Sequence, residues 1–308
     1  MWTKPLLGAL LCLATGLVGF AAPQRTPILL DTDIGTDIDD AFALALIVRS
    51  PELSLLGVTT VSGDTQARAR LAAKLLWEAG GPFREVPVAA GEPGKPLPVE
   101  QARWAEGFVS PQMRQEKAVD FLAAEFDRRP GEITLVSIGP LSNVGALLRR
   151  DPGLARKIKR MVMMGGSIRR GYEPGSGAAA EYNLAADPSA AQAVFASGVP
   201  ILMVPLDVTA MLQLEAANRQ RVFTHLSPVT NALTLLYHLW DHETPTLFDP
   251  MAVAMLIEPD LCETEQLAIQ VDAQGVTRAV GGKPPNATVA LRTDPAKFFR
   301  FYLSRVAP

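Results

Sequence analysis

The amino-acid sequence predicts one α/β domain with a mostly parallel central sheet and helices on both faces. Short apolar or β-branched runs alternate with helix-length segments along most of the chain, which is typical of βαβ units. The 308 residues contain no internal repeat, low-complexity tract or clear linker. This length is sufficient for one large domain with a complete hydrophobic core.

The predicted elements follow each other in a regular order. The first half has the strand "TPILLD", a helix over 40–48, the strand "LSLLGVTTVSG", a helix over 67–79 and the strand "EVPVAAG". The second half has a helix over 119–127, the strand "EITLVSIG", a helix over 141–150 and the strands "IKRMVMMGGS" and "VPILMVPLD". In such sheets ligands bind at the carboxyl ends of the strands, so functional residues are expected there.

The N-terminal segment, residues 1–21, reads as a secretory signal peptide. It has a charged start at Lys4, an apolar stretch over 6–20 and a small-residue exit at Ala21. A membrane anchor is the alternative, but Gly8, Thr15 and Gly16 interrupt the run, which is shorter than the roughly 20 apolar residues a span needs. We therefore expect an exported protein, periplasmic or secreted, with no stable membrane anchor and a domain over 22–308.

Composition narrows the classes of partner. The formal net charge is −3 and becomes about −4 without Lys4, so neither a nucleic-acid backbone nor an anionic membrane is an expected partner. Cys262 is the one cysteine left after residue 21. An exported chain of this kind cannot form an internal disulfide, and its stability must come from its core or from a bound metal.

The stretch "PILLDTDIGTDIDDAFALAL" places five aspartates within ten residues: Asp31, Asp33, Asp37, Asp39 and Asp40. Two carboxylates about 5 Å apart repel by roughly 3 kcal/mol at an effective dielectric of about 20, whereas a helix N-terminus contributes only about 0.3–1 kcal/mol per charge. A divalent cation is the simplest explanation. Oxygen ligands favour Ca²⁺ or Mg²⁺, and the chain has no Cys/His set with zinc spacing. The alternative is a solvated acidic loop that caps a helix.

Two other motifs fit this stretch poorly. A calcium EF-hand loop starting at Asp31 requires glycine at its sixth position and glutamate at its twelfth, where this chain has Thr36 and Phe42. A phosphatase motif of the haloacid dehalogenase type requires threonine where this chain has Gly35. Gly35 weakens the phosphatase interpretation without excluding it.

Seven sequence blocks, in order, resemble the inosine-uridine preferring nucleoside hydrolases. The blocks are "LLDTDIGTDIDDAFALAL", "GVTTVSGD", "VPVAAG", "LVSIGPLSNV", "MVMMGGS", "AEYNLAADPSAA" and "FDPMAVAMLIEP". The resemblance covers nearly all of the chain after residue 21. It implies a Rossmann-like nucleoside hydrolase fold and a calcium-dependent enzyme that cuts the N-glycosidic bond of ribonucleosides. Members of this family often form homo-oligomers.

The resemblance also implies the metal ligands and the general base. Asp33, Asp40 and Asp249 would bind Ca²⁺ through carboxylates and Ile138 through its backbone carbonyl. The commoner family motif has two fewer residues before the alanine that follows the last aspartate pair. Asp39 is the base if the end of the motif keeps its place, and Asp37 is the base if the start does.

Further positions would contact the substrate. By similarity, Met164, Glu181 and Asn183 line the ribose subsite, with the last two bonding its hydroxyl groups. Asp64 stands where relatives often carry an asparagine that contacts the sugar, and a carboxylate there lacks the amide donors.

Phe248 precedes the last predicted metal ligand, where many family members have a histidine thought to protonate the departing base. General-acid help contributes about 10²–10⁴-fold, roughly 3–5 kcal/mol, and stacking on one base about 1–3 kcal/mol. His238 and His242 are candidate replacement donors. Otherwise the substrate has a better leaving group or turnover is low, so a hydrolase of another or modified riboside and a riboside-binding protein without catalysis stay open as alternatives.

Overall fold

An eight-stranded sheet runs through the centre of the protein in the computed structural model, which describes residues 1–2 and 25–308. Most of the predicted signal peptide, residues 3–21, lies outside the described residues. Within the described ranges, no helix has the length and apolar character needed to cross a membrane.

The strands alternate with helices along the chain. The strands are β1 (Thr26–Thr32), β2 (Leu53–Thr60), β3 (Val88–Ala90), β4 (Thr134–Ser137), β5 (Arg160–Met164), β6 (Ile201–Val204), β7 (Cys262–Leu267), β8 (Ile269–Val271), β9 (Thr277–Ala279) and β10 (Ala287–Thr293). The α-helices are α1 (Asp39–Val48), α2 (Thr65–Ala79), α3 (Ala118–Arg128), α4 (Ser142–Arg150), α5 (Tyr182–Ala186), α6 (Pro188–Ala196), α7 (Leu206–Thr209), α8 (Ala216–Thr224), α9 (Pro228–Trp240), α10 (Phe248–Ile257) and α11 (Pro295–Val306).

The strand order creates a binding crevice. The sheet reads β3-β2-β1-β4-β5-β6-β10-β7, and only the edge strand β7 pairs antiparallel, with β10. The chain builds outward from β1 to β3 and then returns to place β4 against the other side of β1. This reversal opens a crevice at the carboxyl ends of β1 and β4, where ligands bind in doubly wound sheets.

Two hydrophobic cores cover the two faces of the sheet. Alternate residues of β1 divide between them, with Ile28 and Leu30 in the core shared with α1, α2 and α10. Leu29 belongs to the opposite core, with residues of α3, α4 and α6. Because both faces are covered, the central strands read as continuous apolar runs, as expected for a parallel sheet.

The sequence prediction of a mostly parallel α/β sheet is confirmed. The predicted helices agree with α1, α2, α3 and α4 to within two residues at each end. The sequence did not indicate the strand β10 with its antiparallel edge partner β7, or the separate β8–β9 pair. Both lie in the C-terminal third, where the apolar runs are short and mixed with charged residues.

Helix α3 packs on the sheet at a glycine, and this contact predicts a measurable cost. A Cβ at Gly57 would lie 2.4 Å from the Phe121 ring. We expect Gly57→Ala to lower the free energy of unfolding by about 1–3 kcal/mol through overpacking. The double variant with Phe121→Leu should lose less than the sum of the two single changes, because the smaller side chain relieves the clash.

Thermal and denaturant unfolding would measure both effects. Gly281→Ala is the matched control, since a Cβ at Gly281 meets no atom within 4 Å and should change stability by no more than about 0.5 kcal/mol. Additive losses in the double variant would contradict the proposed packing.

Candidate active site

A cavity of about 290 Å³ opens at the carboxyl ends of β1, β4 and β5. It lies in the crevice created by the strand order. Its walls bring together residues that are distant in the sequence: Asp33, Thr36, Asp37, Asp39, Asp40, Ile138, Met164, Tyr172, Glu181, Tyr182, Asn183, Phe248 and Asp249.

The floor of the cavity is a cluster of carboxylates at two helix N-termini. Asp39 and Asp40 occupy the first turn of α1, and Asp249 occupies the first turn of α10. One oxygen from each of these three carboxylates lies within 4.8 Å of the others. The positive ends of both helix dipoles point at this cluster and favour its negative charge.

Burial and mutual repulsion raise the pKa of these carboxyls. Burial is the main cause of the raised pKa of Asp39, Asp40 and Asp249, and the neighbouring negative charges raise it further. Burial also raises the pKa of Asp33 to about 6, against the opposing effect of the Arg68 guanidinium. The cluster therefore holds protons tightly unless another cation offsets its charge.

The donor atoms of the floor suit a metal ion. Asp33, Asp40, Ile138 and Asp249, the four predicted ligands, all line the cavity. The three carboxylates that lie close together, however, are those of Asp39, Asp40 and Asp249, and Asp33 is not among them. Buried oxygen donors without sulfur or imidazole are the ligands of hard divalent cations, so this cluster could bind such a metal.

The two candidate bases face different surroundings. An oxygen of Asp39 accepts the backbone N–H of Asp249 at 3.1 Å, which places this carboxylate within the floor. Asp37 accepts the N–H of Ile38 at 2.7 Å and also interacts with Trp240 and His242. Asp37 therefore stands at the rim of the cavity, toward a neighbouring cleft.

Glu181 and Asn183 form a polar wall next to the floor. Glu181 caps α5 and accepts the N–H groups of Asn183 and Gly166, both at 2.8 Å. Burial raises its pKa to about 7, although these backbone bonds oppose the shift. The Asn183 amide donates to the carbonyls of Ile138 and Met164, both at 3.3 Å. This wall offers a carboxyl and an amide to hydroxyl groups of a ligand.

Another part of the cavity wall is aromatic. The Phe248 and Tyr172 rings pack edge to face, with centroids 6.1 Å apart and an interplanar angle of 78°. The Tyr172 hydroxyl accepts the backbone N–H of Tyr182 at 2.9 Å. Neither tyrosine was predicted from the sequence as a site residue, and nor was Thr36. The adjacency of Tyr182 to Glu181 and Asn183 in "AEYNLA" was the available signal.

Three predicted substrate contacts lie away from the cavity wall. Asp64 is exposed and accepts the N–H of Ala67 at 2.9 Å, so it caps α2. His238 is exposed on α9 beside the Tyr237 ring. His242 is exposed and borders the neighbouring cleft near Asp37. Asp64 thus caps a helix, and the two histidines lie on the surface.

Known proteins resemble this chain along almost its whole length. The family model of inosine-uridine preferring nucleoside hydrolases matches residues 28–300. The pyrimidine-specific ribonucleoside hydrolase RihA of Citrobacter koseri is 32% identical over 91% of this chain and 98% of its own length. An uncharacterized protein of Schizosaccharomyces pombe is 34% identical over 91% of this chain and 98% of its own length.

Solved structures give the same assignment. The plant nucleoside hydrolase PpNRh1 superposes with a TM-score of 0.80 and 25% identity, over 93% of this chain and 99% of its own. A purine-preferring ribonucleoside hydrolase from Gardnerella vaginalis superposes with a TM-score of 0.76 and 25% identity, over 91% of this chain and 98% of its own. The chain therefore belongs to the inosine-uridine preferring nucleoside hydrolases and is an enzyme of that family.

Proposed function

We propose that this enzyme is an exported, calcium-dependent hydrolase that cleaves ribonucleosides into ribose and free base. The observation that carries the proposal is the position of Asp39. Its carboxylate lies within the acidic floor, where the side chains proposed as metal ligands also lie. The Glu181 and Asn183 wall borders the same space.

Water activation is assigned to Asp39. A calcium ion would lower the pKa of water and fix the position of ribose hydroxyls. The residues that would hold it are Asp33, Asp40, Asp249 and, through its carbonyl, Ile138. Asp39 accepts the proton of the attacking water as the oxygen forms its bond to the anomeric carbon. The position of Asp39 suits this role, because its carboxylate lies beside the proposed metal ligands Asp40 and Asp249.

Cleavage passes through an oxocarbenium-like ribosyl transition state, as in glycoside hydrolysis generally. Glu181 and Asn183 hold ribose hydroxyls while the bond to the base breaks, and the base leaves with the electron pair and takes a proton from solvent water. Their side chains are fixed by backbone contacts from Gly166, Ile138 and Met164. This rigidity keeps the anomeric carbon in place relative to Asp39.

The departing base lies against the aromatic wall. Phe248, Tyr172 and Tyr182 border the cavity, and a planar base gains about 1–3 kcal/mol from stacking on one aromatic ring. Stacking accepts purines and pyrimidines alike, since each has a π-face. The relatives named above include a pyrimidine-specific and a purine-preferring enzyme, so both classes belong in the substrate panel.

Release of ribose tests the activity directly. The purified enzyme, with calcium or after chelation, is incubated with purine and pyrimidine ribonucleosides and with p-nitrophenyl riboside, whose leaving group needs no proton. Calcium-dependent ribose from a natural nucleoside is the expected result. Ribose from the nitrophenyl compound alone would indicate a riboside with a better leaving group. No ribose from any compound, with ribosides still raising Tm, would favour a binding protein.

Two substitutions test whether Asp39 or Asp37 is the general base. We expect Asp39→Asn to lower kcat by about 10²–10⁴-fold, because it removes the proton acceptor, with folding and calcium binding retained. Asp37→Asn is the matched change at the rim and should keep kcat within about tenfold. Steady-state kinetics and calorimetric calcium titration would measure both. Loss of kcat in Asp37→Asn with near-full activity in Asp39→Asn would reverse the assignment.

The raised pKa values predict how pH affects the stability of the calcium-free enzyme. Burial raises the pKa of Asp31 and Glu181 to about 7 and that of Asp33 to about 6. Groups whose pKa is higher in the folded state stabilise it when protonated, and this contribution is lost as pH rises through the folded pKa. In chelator, Tm should therefore fall between pH 5 and pH 8, and calcium should reduce that fall.

Asp31→Asn is the matched variant for this effect. Asp31 accepts bonds from Thr59 at 2.6 Å and Asn143 at 2.8 Å, and an amide oxygen can accept them while carrying no charge. The variant should show a shallower fall in Tm. A Tm that rises from pH 5 to pH 8 in chelator would contradict the raised pKa values.

Export rests on the sequence of residues 1–21. Expression with the full N-terminus should give a protein that fractionates outside the cytoplasm and begins near Ala22, as intact mass and N-terminal sequencing would show. A cytoplasmic protein that retains Met1 through Ala21 would contradict the proposal.

A further inference from the structure

The loop that carries Asp33 and Asp37 is held from outside the cavity through its backbone. The carbonyl oxygens of 33 and 34 accept bonds from Nη1 of Arg68, the second at 3.0 Å. The carbonyl of 35 accepts the backbone N–H of Gln101 at 3.3 Å. The carbonyls of 36 and 37 accept Nε2 of Gln101 at 3.3 and 2.7 Å. Two residues thus bind five consecutive carbonyls.

The Arg68 guanidinium is committed to this region. Its side chain is fully buried in α2. Nε donates to the carbonyl of Ser62 at 2.8 Å, and Nη2 donates to the hydroxyl of Thr36 at 2.9 Å. Among residues 25–308, no carboxylate forms an ion pair with it within 4.0 Å. Burying an arginine without a direct ion pair is costly, so the backbone contacts must offset that cost.

The loop requires such partners because its own backbone bonds are few. Gly35 has φ +118°, and a Cβ there would lie 2.6 Å from Val99, so the chain makes a tight irregular turn between β1 and α1. Buried carbonyls in irregular segments need donors from elsewhere. Gln101 is also fully buried, and the Thr36 hydroxyl donates to the carbonyl of Pro98 at 3.1 Å.

We propose that Arg68 and Gln101 are positioning residues that fix the acidic loop so that the Asp33 carboxylate meets the metal in one arrangement. Neither side chain lines the cavity, so both act through the loop backbone. Five carbonyls engaged on the outer side leave the aspartate side chains as the groups that the loop presents to the cavity. The inference rests on the proposed calcium-dependent activity and adds two residues to its machinery.

Because Arg68 is positively charged, an electrostatic effect and a positioning effect predict opposite changes in calcium affinity when Arg68 is replaced. A fixed positive charge beside the floor repels a bound cation, so charge alone predicts tighter calcium binding when Arg68 is neutralised. Positioning predicts the opposite, because a released loop must be ordered again by the metal. Partners that orient metal ligands typically contribute about 10–100-fold in affinity.

The experiment compares Arg68→Met, Arg68→Lys and Gln101→Met with Gly57→Ala. The glycine variant is expected to lower Tm through a contact on α3 and does not touch the loop. Calcium affinity is measured by calorimetry on folded apo protein, and amide hydrogen exchange is followed over 33–38. We expect about 10–100-fold weaker calcium binding and faster loop exchange in Arg68→Met and Gln101→Met. Arg68→Lys should also lose affinity, since it keeps the charge without the planar fork.

The control should bind calcium within about twofold of wild type. Unchanged or tighter binding in folded Arg68→Met, or wild-type affinity in Arg68→Lys, would overturn the positioning role. If Arg68→Met does not fold, Gln101→Met decides. If the wild type binds no calcium, the proposed calcium-dependent function is wrong. Amide exchange of the loop still tests the positioning role, because wild-type protection in Gln101→Met would refute it.

Discussion

The buried carboxylates of Asp33, Asp39, Asp40 and Asp249 meet at one end of the sheet, and their repulsion constrains the structure around them. Each has lost water to burial, and the charges of Asp33, Asp39 and Asp40 raise the pKa of at least one neighbour. Two helix N-termini, the Thr32 hydroxyl bonded to Asp40 and the backbone N–H of Asp249 bonded to Asp39 offset part of this cost. A divalent cation would offset part of the remaining cost.

The fold brings these groups together by topology. The reversal of strand order next to β1 leaves the ends of β1 and β4 facing one crevice, and α10 delivers Asp249 there from more than 200 residues along the chain, as its bond across a separation of 210 residues shows. Because α1 and α10 both start at the crevice, their packing in one core fixes the distance between the aspartates. The stability of that core and the geometry of the floor therefore depend on each other.

The sequence predicted the central sheet and the acidic cluster because both produce a clear local pattern of residue types. Alternating apolar runs predicted the central sheet, and the aspartates after β1 predicted an acidic floor. Arg68 could not be found in this way, because an arginine on a helix normally indicates a solvated surface and only the tertiary structure shows that it is buried. Asp64 shows the converse, since the same carboxylate suits both a helix cap and a sugar contact, and the structure shows the cap through the bond from Ala67.

The two ends of the reaction differ in how well the cavity supports them. On the water side it concentrates carboxylates with raised pKa values. On the base side, no histidine lines the cavity among the described residues, and Phe248 has no proton to give. Burial raises the pKa of Tyr172 and Tyr182, so both phenols stay neutral at pH 7 and can donate hydrogen bonds but are poor sources of a full proton. Because stacking supplies about 1–3 kcal/mol and a general acid roughly 3–5 kcal/mol, the proposed mechanism assigns the larger share of the rate enhancement to the acidic floor.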